Sequence, residues 1–219
     1  MKIKRARKLP EIRIDYAWLL YNVSRVLEKS IRKNGKTKIP NFEESEKLTE
    51  AYRQEWSKYE KILLHAMCEA LNLSFYKPVI DVSIAPYFIP QSDPLILSFY
   101  HKPDRFVETL THELIHILLT DNNKLSIKER PSKVDLMGKW RKLYGEDHDF
   151  NTLVHIPVYA VLKHIYLDVL KEPKRMDRDM KEVKTYQNGK AYTAAWEYVN
   201  SRDYKKLIGE LGQLYKEIK

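Results

Sequence analysis

The sequence predicts an α+β fold, mainly helical, with a small sheet packed beside the helix that carries His112 and His116. Three observations predict it. Apolar residues recur at spacings of three and four over most of the chain, the period of helices with one buried face. Two short runs, 79–84 and 95–100, break that period and are rich in strand formers. A chain of 219 residues, 43% hydrophobic and 32% charged, can bury one sizeable core and carry decorations on it.

Met1 to Lys8 is basic. The spacing of Tyr16, Leu19, Leu20, Val23, Leu27 and Ile31 then predicts a helix from Asp15 to about Lys33, ended by Asn34-Gly35. Residues 1–39 hold 12 Lys and Arg against 3 Asp and Glu, while the rest of the chain holds 27 of each, so the formal charge of +9 belongs to this arm. Such an arm can hold nucleic acid or an acidic partner, or can simply keep the protein soluble.

A long helix follows. Asn41 caps it, Glu43 and Glu44 suit its first turn, and Leu48, Tyr52, Trp56, Tyr59, Leu63, Met67 and Leu71 form its apolar stripe. Cys68, the single cysteine, lies in that stripe and reads as core. One cysteine excludes internal disulfides and a cysteine-rich zinc ribbon. His65, with no ligand partner at suitable spacing, reads as packing or surface. Residues 79–84 alternate Ile80, Val82 and Ile84 with Asp81 and Ser83, a half-buried strand. Pro86 and Pro90 mark a turn or an edge. Leu95 to Tyr100 reads as a second strand at a sheet edge, ended by His101.

Lys102-Pro103-Asp104 starts the next helix and Asp121-Asn122-Asn123 stops it. Ser132 caps a short helix that Gly145 ends. A strongly apolar helix runs from Leu153 to Leu170, with Pro157 either setting its start or bending it. One or two short helices fill the rest. These shifts divide the chain into a basic arm and helix (1–40), a central domain (41–172) and a C-terminal helical extension (173–219). No apolar run approaches a membrane span, and Glu11, Arg13 and Asp15 interrupt any secretory segment, so the expectation is a cytoplasmic protein without a membrane partner.

The chemistry concentrates in His112-Glu113-Leu114-Ile115-His116, an H-E-x-x-H pattern. On a helix, a spacing of four puts both imidazoles on one face, one turn apart, where they can grip one metal ion. Neutral imidazole suits zinc, and Glu113, not spent on the metal, can take a proton from water. A shuffled chain of this composition would contain the pattern about 0.02 times. Phe106, Leu110, Leu114 and Ile117 give that helix an apolar face, so a buried helix with two ordinary histidines is the competing reading.

A catalytic zinc takes three protein ligands and keeps one position open. His155 is the first choice for the third ligand, at the head of a well-buried helix. Tyr159, one turn on, could then donate to the oxyanion of a tetrahedral intermediate, or be an ordinary core aromatic. His148, flanked by Asp147 and Asp149, is the second choice, and the carboxylates of Glu146, Asp149 or Glu172 follow. His164 lies about half a turn out of phase with His155, so the two cannot face one metal.

On these residues the chain resembles the zincin metallopeptidases over about residues 43–172. The resemblance implies that His112 and His116 are zinc ligands and Glu113 the general base. The stretch Val154-His155-Ile156-Pro157-Val158-Tyr159 is similar to the third-ligand helix of small archaeal and phage-type zincins. The pattern departs from SprT-like proteases, for which His148-Asp149-Phe150 is the nearest echo, 32 residues after His116. It also departs from metzincins, because Ile117-Leu118-Leu119-Thr120 follows the motif. The expected function is zinc-dependent hydrolysis of a peptide or protein. Its rival is a nucleic-acid-binding or scaffold protein with a structural metal or none.

Overall fold

The computed structural model describes residues 9–21, 23, 40–86, 88–99, 102–121, 136–186 and 188–218. Among the described residues the fold is α+β and mostly helical, with one four-stranded sheet. The strands are β1 (Glu11–Tyr16), β2 (Val79–Ile84), β3 (Gln91–Ser92) and β4 (Leu95–Leu97), in the order β1-β2-β4-β3. Two compact units divide the chain, one of residues 1–61 with 77–117, the other of 62–76 with 118–219.

The sheet lies in the first unit. β1 runs parallel to β2, from Glu11 opposite Val79 to Tyr16 opposite Ile84. Parallel neighbours need a long crossover, and the chain makes it through α1 (Phe42–Leu71). β4 is parallel to β2, pairing Ile84 with Leu97. β3 returns antiparallel to β4 through a turn containing the cis Asp93-Pro94 bond. Ile14, Tyr16, Ile80, Val82 and Ile84 are buried, as alternation along a half-covered strand requires.

Two expectations change here. Asp15 and Tyr16 belong to a strand and not to a helix. Ile12, Ile14 and Tyr16 alternate with Glu11, Arg13 and Asp15, and the backbone pairing to β2 outweighs the three-and-four spacing of the residues that follow. A 3-10 turn, Trp18–Leu20, comes next, Tyr21 and Val23 are helical as expected, and residues 22 and 24–33 of the expected helix lie outside the described residues. The second strand is three residues long, and β2 and β3 flank it, so it is not an edge. Gln91–Ser92 takes that place; two residues carry no period that a sequence reading could detect.

α1 starts as its sequence directs. Glu44 N–H donates to Asn41 Oδ1 at 2.9 Å, and Asn41 N–H donates to Glu44 Oε2 at 2.8 Å, a reciprocal cap. Tyr52, Trp56, Leu63, Met67, Cys68 and Leu71 are buried along it. α2 (Pro103–Asp121) is the motif helix. Its expected face is buried at Phe106, Leu110, Leu114 and Ile117, and Val107, Ile115, Leu118 and Leu119 are buried too, so burial extends around most of it. The Tyr52 ring stacks on Phe106, with centroids 4.5 Å apart and planes 6° from parallel.

The second unit is helical. α3 (Leu136–Tyr144) ends at Gly145, whose φ of +119° only glycine adopts without strain. α4 (Phe150–His164) runs into one π-helical turn, Ile165–Val169. α5 (Pro173–Glu182), α6 (Gly189–Asn200) and α7 (Tyr204–Ile218) complete the unit, three helices where one or two were expected. α4 is its centre: Thr152, Leu153 and every residue from His155 to Leu162 are buried, and α3, α6 and α7 pack on it. Asp149 caps α4, accepting from Thr152 N–H at 3.0 Å and from Thr152 Oγ1–H at 2.6 Å. Because the cap lies that far upstream, Pro157 falls in the helix interior and His155 is one full turn inside rather than at the very start. Among the described residues no helix is long and apolar enough to cross a membrane.

A candidate metal centre

α2 delivers the first two ligands as the four-residue spacing requires. The Nε2 atoms of His112 and His116 stand 3.1 Å apart, with ring centroids 4.9 Å apart and planes tilted by 57°. Two nitrogens on one tetrahedral zinc, each at about 2.05 Å, would be about 3.3 Å apart, so the pair already has the spacing of a shared ion. Both rings are half-buried.

α4 prepares His155 in another way. Its Nδ1 lies 2.6 Å from the carbonyl oxygen of Asn151. A carbonyl can only accept, so Nδ1 carries the hydrogen and Nε2 keeps a lone pair, the tautomer a metal ligand needs. Burial penalises the imidazolium and holds the His155 pKa down at about 4. The ring is therefore neutral at neutral pH. Tyr192 meets it edge-on, with centroids 4.6 Å apart, and Tyr159 lies 5.6 Å away. One nitrogen from each of His112, His116 and His155 lies within 4.8 Å of the other two. These three imidazoles could hold a metal ion.

Glu113, next to His112, is buried, and desolvation lifts its carboxyl pKa from the ordinary 4.5 to about 7. A group in that range exchanges protons readily at neutral pH. Tyr159 is only 1% exposed. Its ring stacks on Trp196, with centroids 4.4 Å apart and planes 11° from parallel, and burial pushes its phenol pKa well up.

The remaining candidates do not join this cluster among the described residues. His148 packs edge-on against Tyr198, with centroids 5.2 Å apart. The Asp149 carboxylate caps α4, and its bonds from Thr152 hold its pKa down. Glu172 accepts from Arg175 Nε at 2.7 Å, and Glu146 is exposed. His164 Nδ1 lies 2.9 Å from Asp168 Oδ2. His101 lies outside the described residues. Sequence reasoning missed the Asn151 carbonyl and Tyr192. The first is four residues before His155 and legible once the helix start is known. The second is 37 residues beyond His155, where no spacing signals it. No family model, no curated protein and no solved structure matches this chain.

Proposed function

We propose that the chain is a zinc-dependent peptidase of zincin type. One observation carries the reading: three imidazole nitrogens within 4.8 Å, from His112, His116 and His155, beside a buried glutamate. The donor set fits zinc, since three neutral nitrogens leave one tetrahedral position for water. A zinc ion held there would supply Lewis acidity and lower the pKa of bound water. Glu113 accepts the proton as water adds to the scissile carbonyl carbon. It then gives that proton to the amine as the C–N bond breaks, so the residue ends as it began. His155 is kept from wandering by the Asn151 carbonyl, which fixes its tautomer and ring plane. A peptide or protein substrate, a cytoplasmic setting and a nucleic-acid or acidic partner for the basic arm belong to the same proposal.

The test is metal analysis together with hydrolysis of fluorescein-labelled casein. The wild type should purify with one zinc per chain and cleave. Glu113→Gln should keep the zinc and lose at least about 100-fold in rate, the scale of a lost general base. His116→Ala should lose both. Glu113→Gln cleaving at the wild-type rate overturns the mechanism, and a wild type with no affinity for zinc overturns the reading.

A further inference from the structure

We propose that Tyr192, and not Tyr159, is the phenol that hydrogen-bonds the substrate oxyanion; this rests on the peptidase reading above. A donor to developing charge must be reachable by a substrate arriving from solvent. Tyr159 is not: it is 1% exposed, and Trp196 lies flat on its ring. Trp196 is itself anchored, its Nε1–H donating to Asp179 Oδ2 at 3.0 Å. A substrate would have to displace that indole to meet the face it covers.

Tyr192 packs against the same imidazole and is closer to it than Tyr159 is. It is half-buried and edge-on to His155, with centroids 4.6 Å apart and planes at 77°. Tyr186, 45% exposed, meets Tyr192 edge-on with centroids 6.0 Å apart. Tyr186, Tyr192 and His155 thus form a series of rings leading from solvent to the buried ligand. The backbone beneath Tyr192 is held firmly. The N–H groups of Ala191 and Tyr192 both donate to the Asn188 carbonyl, at 3.0 and 3.3 Å. A Cβ on Gly189 would come within 2.7 Å of the Val183 carbonyl oxygen and 2.9 Å of that of Lys184, so this turn closes only with glycine. A phenol mounted on such a turn is preorganised, which is what stabilising a transient charge requires.

The experiment uses the zinc-loaded full chain as wild type, Tyr192→Phe and Tyr159→Phe, with fluorescein-labelled casein as substrate. Each variant removes one oxygen, and thermal melting checks that the fold is kept. Tyr192→Phe should hold one zinc per chain with unchanged affinity, keep KM within about twofold, and lose about 100-fold in kcat. Tyr159→Phe should stay within a few-fold of wild type in both constants. The assignment is overturned if Tyr192→Phe cleaves within about threefold of wild type, if the kcat loss appears in Tyr159→Phe instead, or if Tyr192→Phe loses its zinc along with its activity. Those three outcomes leave the peptidase reading standing. A zinc-loaded wild type that cleaves nothing overturns both.

Discussion

Glu113 and His155 are both buried titratable groups, and burial moves them in opposite directions. The Glu113 carboxyl has its pKa raised to about 7, so in the metal-free chain it folds protonated and its ionisation opposes folding as pH rises from 4.5 through 7. His155 has its pKa lowered to about 4, so the stability of its neutral form is complete above 6.5 and is lost as pH falls through 4. Between 4.5 and 6.5 the unfolded chain binds a proton at His155 and releases one at Glu113, and the two slopes oppose. Metal-free Glu113→Gln should therefore exceed the wild type by about 3 kcal/mol at pH 8 and match it near pH 4. Urea unfolding across that range measures it. An equal gap at both ends would mean that ionisation of Glu113 costs the fold nothing.

Helices place these residues, and short polar side chains set the starts of α1 and α4. The Asn41 and Glu44 cap of α1 was legible as a pattern because the partners lie three residues apart. The cap of α4 was not. Asp149 sits in an acidic run that reads equally well as metal-ligating, and only its bonds to Thr152 assign it to the helix start. That assignment fixes the register of Asn151 and His155, and with it the tautomer of the ligand. Asp149→Ala should cost about 1 kcal/mol in urea unfolding, while Asp149→Asn should retain most of the cap. Equal losses in the two variants would show that the carboxylate charge, rather than the capping geometry, matters. The three-residue strand β4 is the corresponding failure: its apolar run predicted a strand correctly, but not that β3 would pair along its far side.

At the scale of the whole molecule, charge and fold separate along the arm. The basic segment is not simply an appendage, because Glu11–Tyr16 is the outer strand of the sheet and pairs with β2 along its length. Removing residues 1–39 would therefore remove structure along with charge. Removing residues 1–8 takes five Lys and Arg and leaves β1 intact. If the arm holds nucleic acid, the full chain should bind a fluorescent DNA duplex with an affinity that falls steeply with salt, and the shortened chain should show a smaller salt slope. Fluorescence anisotropy at several salt concentrations reads both. An unchanged slope would remove the arm from that role.

The sequence by itself determined what depends on neighbours a few residues apart: the long helices, the cap of α1, the glycine stop of α3, and the placing of His112 and His116 on one helix face. These are local because the α-helix repeats every 3.6 residues and side chains four apart share a face. Tertiary structure decided what depends on distant partners. It made Glu11–Tyr16 a strand by pairing it with β2, and it lifted the Glu113 pKa by burying the carboxyl. It also set Tyr192 against His155, 37 residues away, where packing of α6 on α4 and no sequence period brings two rings together.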